Sequence, residues 1–193
     1  MKQHGITTAT PSNIPFGAGV YFKNLKWDTQ SKTWKGDCVG ATKGGGKIEI
    51  QGELYNLELD GALVRWKGQA VKVGGTAKME VNMAELTDDN IKMTSHFETA
   101  ESEAEGYIKY VDKSTLNDGD YLENFAFVGK TADKSKDIIV IMDYALCTSS
   151  FALETKNKEN AVLKATMEAA TNDLTSDLDK IPARIYYPTS AVV

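Results

Sequence analysis

The stretch of this chain nearest to a phosphate-handling motif is "GATKGGGK", residues 40–47. A phosphate loop needs a glycine, four residues, then Gly-Lys followed by Ser or Thr, so that backbone amides cradle phosphate and the hydroxyl meets Mg²⁺. Position 41, where the first glycine belongs, holds Ala, and Lys47 is followed by Ile48. The motif fails at both ends and reads as a glycine hinge. Nucleophilic catalysis fares no better: His4 and His96 are the only histidines, and neither stands in a recognisable elbow or triad context. Cys147 ends an apolar run and reads as core, while Cys38 lies among loop residues. Glu98, Glu101, Glu103 and Glu105 lack the spacing and glycine of a calcium loop. Trp27, Trp34 and Trp66 have the chemistry of a sugar platform, and Trp27 and Trp34 flank one long segment. No carboxylate pair is singled out by apolar surroundings. The residue inventory therefore points away from an enzyme, a cofactor or a metal site, and toward binding or structure.

Whole-chain properties agree with that direction. Lys and Arg number 22 against 27 Asp and Glu, a net charge of −5, with no basic cluster of the kind that grips nucleic acid. Two cysteines are too few for a disulfide framework. The N-terminal segment has no apolar stretch of a secretory signal, and no run reaches the ~18 apolar residues of a membrane span. The expectation is a soluble single domain over 1–193, made in the cytoplasm.

The elements are mostly strands. "AVKVGGTAKMEVNMAEL", residues 70–86, places Val71, Val73, Ala77, Met79, Val81 and Met83 on one side and Lys72, Thr76, Lys78, Glu80 and Asn82 on the other. That alternation predicts a long strand whose apolar side a core takes up. In "KIEIQGELYNLELDG", Ile48, Ile50 and Leu54 share one phase and Leu57 and Leu59 the other, which predicts a bulge between Gly52 and Asn56. Residues 1–20 read as an arm, 28–47 as a long Gly-rich loop or loose hairpin, and 97–106 as an acidic loop. "LTDDNIKMTSHF" predicts a short helix capped by Thr87, with Asp88 and Asp89 in its first turn and a Leu86–Ile91 staple. "GYIKYV", "YLENFAFVG" and "DIIVIMDYALC" read as strands, the last buried on both faces. "ENAVLKATMEAAT" fits strand or helix, and 183–193 a closing strand and tail. The fold class is mainly β: two packed antiparallel sheets in a sandwich or barrel, with one short flanking helix.

In this order and spacing, "IPFGAGVYFKN", "VGATKGGG", "IEIQGELYNLELDGALVRWKGQAVKVGGTAKMEVNMAELTDDNIKM" and "NAVLKATMEAATNDLTSDLDKIPARIYYP" resemble the major tail proteins of long-tailed phages, particularly those of Gram-positive hosts. The likeness covers most of residues 14–188. It implies a virion structural protein without an active site, whose subunits close into hexameric rings that stack into a tail tube. The partners it implies are the subunit itself, a tape measure protein, tail terminator and baseplate or tip proteins, and genomic DNA that passes through the lumen without specific binding.

Mapped onto this chain, the resemblance implies lumen-facing Glu49, Gln51, Glu53, Lys72, Thr76, Lys78, Glu80 and Asn82. It implies a subunit interface at Leu86, Ile91, Met93 and Phe97, and ring-stacking residues Trp34, Lys43, Gly44, Gly45 and Gly46, whose glycines would then matter more to assembly than to folding. Candidate outward positions Lys47, Lys72, Lys78 and Lys164 balance Glu49, Glu53, Glu80 and Glu168, a neutral set where the family's lumens tend to be acidic. Two alternatives stand beside this reading: the inner tube of a contractile injection system, and a monomeric carbohydrate-binding β-sandwich using Trp27 and Trp34.

Overall fold

The computed structural model describes residues 5–155, 157–172 and 178–188. Eleven strands and one α-helix follow one another along these residues. They are β1 (Pro15–Asp28), β2 (Thr33–Cys38), β3 (Thr42–Asn56), β4 (Ala70–Met83), α1 (Asp88–Ser95), β5 (Phe97–Ala100), β6 (Lys109–Asp112), β7 (Leu122–Thr131), β8 (Asp137–Cys147), β9 (Ala152–Glu154), β10 (Val162–Glu168) and β11 (Ala183–Tyr186). All pairings are antiparallel. The main path runs β2-β1-β7-β8-β10-β4-β3, with β11 on β8 and β9 on β10, while β5 and β6 form a separate small sheet.

β8 joins the two halves of the sandwich. Residues 139–142 pair with β11 and residues 146–147 with β10, on the same edge. Tyr144, between them, has φ 46°, a left-handed kink that turns the strand from one sheet into the other. Tyr21, Phe125 and Met142 of the first sheet then share one core with Met79, Val81, Met83, Leu163, Ala165 and Met167 of the second. β8 is buried on both faces, as its continuous apolar run predicts. A smaller cluster of Leu25, Ala126, Ile139 and Ile141 lies on the outer face of the first sheet. The "ENAVLKATMEAAT" segment is a strand, because Leu163, Ala165 and Met167 insert into the core with a period of two.

α1 begins as its sequence predicts: the Thr87 hydroxyl accepts from the Asn90 amide at 3.2 Å, and His96 closes the helix in the left-handed region. Its most buried contacts are polar, beside Met93, which packs on the core. Asn90 and Thr94 are the buried residues, and the Asn90 side chain donates to the carbonyls of Val39 and Glu85 at 3.0 and 3.1 Å. Lys23, buried in β1, reaches Asp89 at 3.2 Å.

Three expected boundaries change. Residues 15–20 of the supposed arm belong to β1, with Pro15 and Phe16 opposite Thr131 and Lys130. Residues 28–47 are a hairpin turn, β2 and the first part of β3, because Trp27 and Trp34 pair directly across the strands and hold the segment. Phe97–Ala100 of the acidic loop is β5. Residues 1–4, and 189–193 of the C-terminal tail, lie outside the described residues.

Candidate functional site

Two surfaces stand out from the sandwich, one polar and one apolar. The polar one is the outer face of the second sheet. In β4, Ala77, Met79, Val81 and Met83 point to the core, so Thr76, Lys78, Glu80 and Asn82 point away from it. Register carries the same face across its neighbours: Glu80 lies between Lys47 and Thr166, Lys78 between Glu49 and Glu168, Gln51 lies opposite Thr76, and Asn82 opposite Lys164. Between Gln51 and Lys164 these rows hold only Lys, Glu, Gln, Thr and Asn, with unlike charges side by side across strands. Lys47 pairs with Glu49 at 2.5 Å, Lys78 with Glu168 at 3.3 Å and Lys164 with Glu154 at 2.6 Å. The hydrogen bond from Lys47 holds the Glu49 carboxyl below its usual range, and Glu49 raises the Lys47 ammonium reciprocally.

Lys72, expected on this face, is not there. The bulge foreseen between Gly52 and Asn56 shifts register between Glu53 and Leu54, so that Glu53 faces Gly74 and Leu54 faces Lys72. Lys72 leaves on the other side of the sheet and donates to the Asp179 carbonyl at 3.1 Å. Glu154 of β9, which carries no periodic signal of its own, joins the face through Lys164. The corrected set is three lysines (47, 78, 164) against five glutamates (49, 53, 80, 154, 168), an acidic balance that a Lys43–Glu159 pair at the rim leaves unchanged. Each of these lysines is matched by a carboxylate, so the face offers a polyanion no basic stripe to hold.

The apolar surface is an arm. The sandwich core takes up β4 only from Ala77 onward; Val71 and Val73, expected in that core, are exposed because the β3–β4 ribbon runs past its end. Past the bulge, residues 54–73 are exposed except for Gln69. Leu54, Tyr55, Leu59, Leu63 and Val64 all stand in solvent, Leu63 at 96% of its full exposure. The tip is nevertheless ordered by its own bonds: the Leu57 amide donates to the Gln69 carbonyl, Gln69 returns a side-chain bond to Leu57, and Arg65 reaches Asn56. Opposed residues Tyr55 and Val71 occupy one face of the ribbon while Leu54 occupies the other. The ribbon thus exposes large apolar side chains on both faces, with Lys72 opposite Leu54 on the second, and exposed apolar side chains of this size suit a segment that another surface covers.

The remaining expected residues divide. Leu86 is half exposed, and Ile91 is half-buried. Met93 packs on the protein's own core and Phe97 lies against Phe151 with ring centroids 6.0 Å apart, so these two are already partnered within the chain. The expected stacking group does not assemble into one site. Trp34 sits on β2, edge-on to Trp27 at 5.5 Å and to Tyr186 at 4.9 Å, above the outer face of the first sheet. Lys43, Gly44, Gly45 and Gly46 open β3, where Lys43 pairs with Glu159 at 3.2 Å. Trp27, Trp34 and Tyr186 border a groove of about 870 Å³ whose lining is largely apolar. Among the described residues no group of three or more His, Cys, Asp or Glu is placed to hold a metal ion, and no helix is long and apolar enough to cross a membrane.

No protein-family model and no curated protein matches this chain.

Proposed function

We propose that this chain is a tail tube subunit of the long-tailed phage type, assembling through itself into stacked hexameric rings with the polar face of its second sheet toward the lumen. The observation that carries the reading is the union, in one subunit, of a charge-alternating sheet face with a protruding arm that exposes large apolar side chains on both sides. A lone two-stranded ribbon is marginal in water, and exposed leucines along it cost solubility. Such an arm makes sense where neighbouring subunits bury it. Closing sheets side by side also removes the free edge of β3, fifteen residues long, which would otherwise template aggregation. An acidic face without apolar breaks suits a wall past which DNA slides. On this reading the protein resides in the virion, with a tape measure protein and then the genome inside the tube and terminator and tip proteins at its ends.

Negative-stain electron microscopy of concentrated protein tests the reading. Rings or hollow tubes support it. Dispersed particles that also fail to complete tails in a subunit-deficient lysate overturn it. A second reading, a monomeric carbohydrate-binding module, draws on the Trp27–Trp34–Tyr186 cluster. It requires a monomer whose tryptophan emission shifts with oligosaccharide.

A further inference from the structure

The outer face of the first sheet carries a long apolar groove that none of the described residues covers. Two cavities, of about 490 and 870 Å³, meet along it and share Phe22 and Val128 in their linings. Phe16 and Val20 wall one end, and Trp34 and Ile139 the other. Phe16 is three-quarters exposed, a cost that a buried position would relieve. No residue of the arm lines either cavity.

We propose that the arm tip, Leu57–Trp66, seats in this groove on a second copy of the chain. Tip and groove are complementary in two ways. In shape and polarity, the groove offers aliphatic and aromatic flooring, and the tip offers Leu59, Leu63 and Val64 without partners of their own. In charge, the groove ends in two turn lysines: Lys134 lines one cavity and Lys32 the other, and neither has an ion pair among the described residues. On the arm, Glu58 and Asp60 flank Leu59 and are likewise without an ion pair there. Acids on the insert therefore meet bases at the groove's ends. An oligosaccharide is the lesser fit, because Trp27 and Trp34 stand at 65° to each other and offer no flat two-ring platform.

The consequence for assembly follows from symmetry. Arm and groove are different patches, so their contact is heterologous: each subunit gives an arm and receives one, and the contact propagates into rings or filaments instead of ending at a dimer. The inference rests on the tube reading in taking the chain to self-assemble, and it names the surface that receives the arm.

Cysteine cross-linking tests it on the full chain. In a Cys38→Ser background, Leu63→Cys and Val20→Cys are placed together in one chain, assembled, and oxidised with copper phenanthroline. The expected result is a ladder of disulfide-linked multimers, since only sulfurs within a few ångströms pair. A control chain with Leu63→Cys and Glu105→Cys, the latter in the loop between β5 and β6, should give none. Lys32→Glu with Lys134→Glu should abolish the ladder, and Glu58→Lys with Asp60→Lys added to them should restore it. Tubes in the microscope without a ladder overturn the arm–groove contact and leave the tube reading intact. Neither tubes nor ladder, with no incorporation into tails, overturns both. Oligosaccharide binding that quenches Trp27 and Trp34 in assembled tubes, with no ladder, assigns the groove to sugar and overturns the proposal.

Discussion

Gly46 of β3 passes directly beneath the phenol of Tyr21 of β1, so that a methyl group on Gly46 would stand 2.2 Å from the tyrosine oxygen and 2.3 Å from the Glu80 carbonyl. The two sheets approach each other here because one of them has no side chain. Gly46→Ala should therefore lower stability by about 1–3 kcal/mol in urea denaturation, the usual range for an overpacked core. Adding Tyr21→Phe should recover only part of the loss, since the Glu80 carbonyl remains. Gly45, with φ 73° and open space around it, should cost about 1 kcal/mol on change to Ala, for backbone reasons alone. Gly46 thus has a packing role of its own, beside the assembly role expected of residues 44–46, whereas a methyl group on Gly44 or Gly45 would meet nothing close.

The helix supplies a second contrast, between Asn90 and Leu86. Asn90 is 1% exposed and closes the carbonyls of Val39 and Glu85. Asn90→Ala leaves the buried Val39 carbonyl and the half-buried Glu85 carbonyl short of a donor and should cost about 1–3 kcal/mol. Leu86→Asp, at a position half in solvent, should change stability by less than about 0.5 kcal/mol. If Leu86 contributes to a neighbour, the same variant should slow ring formation by light scattering while its denaturation curve overlays the parent's.

Asp28 closes the β1–β2 turn and should report acid sensitivity there. The Lys35 ammonium, with further bonds from Ser31 and the Gln30 amide, holds its carboxyl down to about 2. Its folded value lies below the ordinary value of about 3.9, so its contribution to stability is complete above pH ~4 and is lost as pH falls through about 2. A carboxyl-detected NMR titration should show a midpoint near 2 for Asp28. Lys35→Met should move that midpoint upward. An unmoved midpoint would mean that the turn's own amides, not the lysine, set the shift.

Several of these features were legible in the residues and others were hidden by them. The Thr87 cap and the bulge before Asn56 follow from local patterns, since hydroxyl placement and a change of phase act over a few residues. The alternation in β4 named the correct faces from Ala77 to Met83. It could not say that the sandwich ends before Val73, because alternation gives the side of a strand and not what lies beneath it. Lys72 was misassigned for a related reason: the extra residue at the register shift is Val73 of β4 itself, which flips Lys72 to the other side of the sheet. The Gly-rich stretch read as a loop because glycine's use at turns is a local matter, whereas its use under Tyr21 depends on a strand from the other sheet.

Charge on the polar face should govern DNA retention. Glu53→Lys with Glu80→Lys turns three lysines against five glutamates into five against three, while keeping the Lys47–Glu49, Lys78–Glu168 and Lys164–Glu154 pairs. The parent subunit should leave duplex DNA unshifted in a gel at 50 mM salt. The doubly substituted one should retard it, with the retardation fading toward 200 mM as counterions compete. Retardation by the parent would argue against a lumen role for this face.

The arm gives the sharpest separation of folding from assembly. Residues 54–73 contribute little to the sandwich core, and Leu63 is almost wholly in solvent. Leu63→Asp with Val64→Ser should therefore leave the denaturation midpoint of the free subunit within the ±0.5 kcal/mol of ordinary surface changes. On the tube reading the same pair removes apolar surface that a neighbour buries, at roughly 25 cal/mol per Å², in a contact repeated by every subunit. The concentration at which tubes appear should rise by at least about tenfold, the effect of some 1.4 kcal/mol per contact. Pelleting assays read against a dilution series would measure it. A drop in the free subunit's stability would show that the arm serves its own domain, and tubes at an unchanged concentration would show that nothing in the assembly covers the tip.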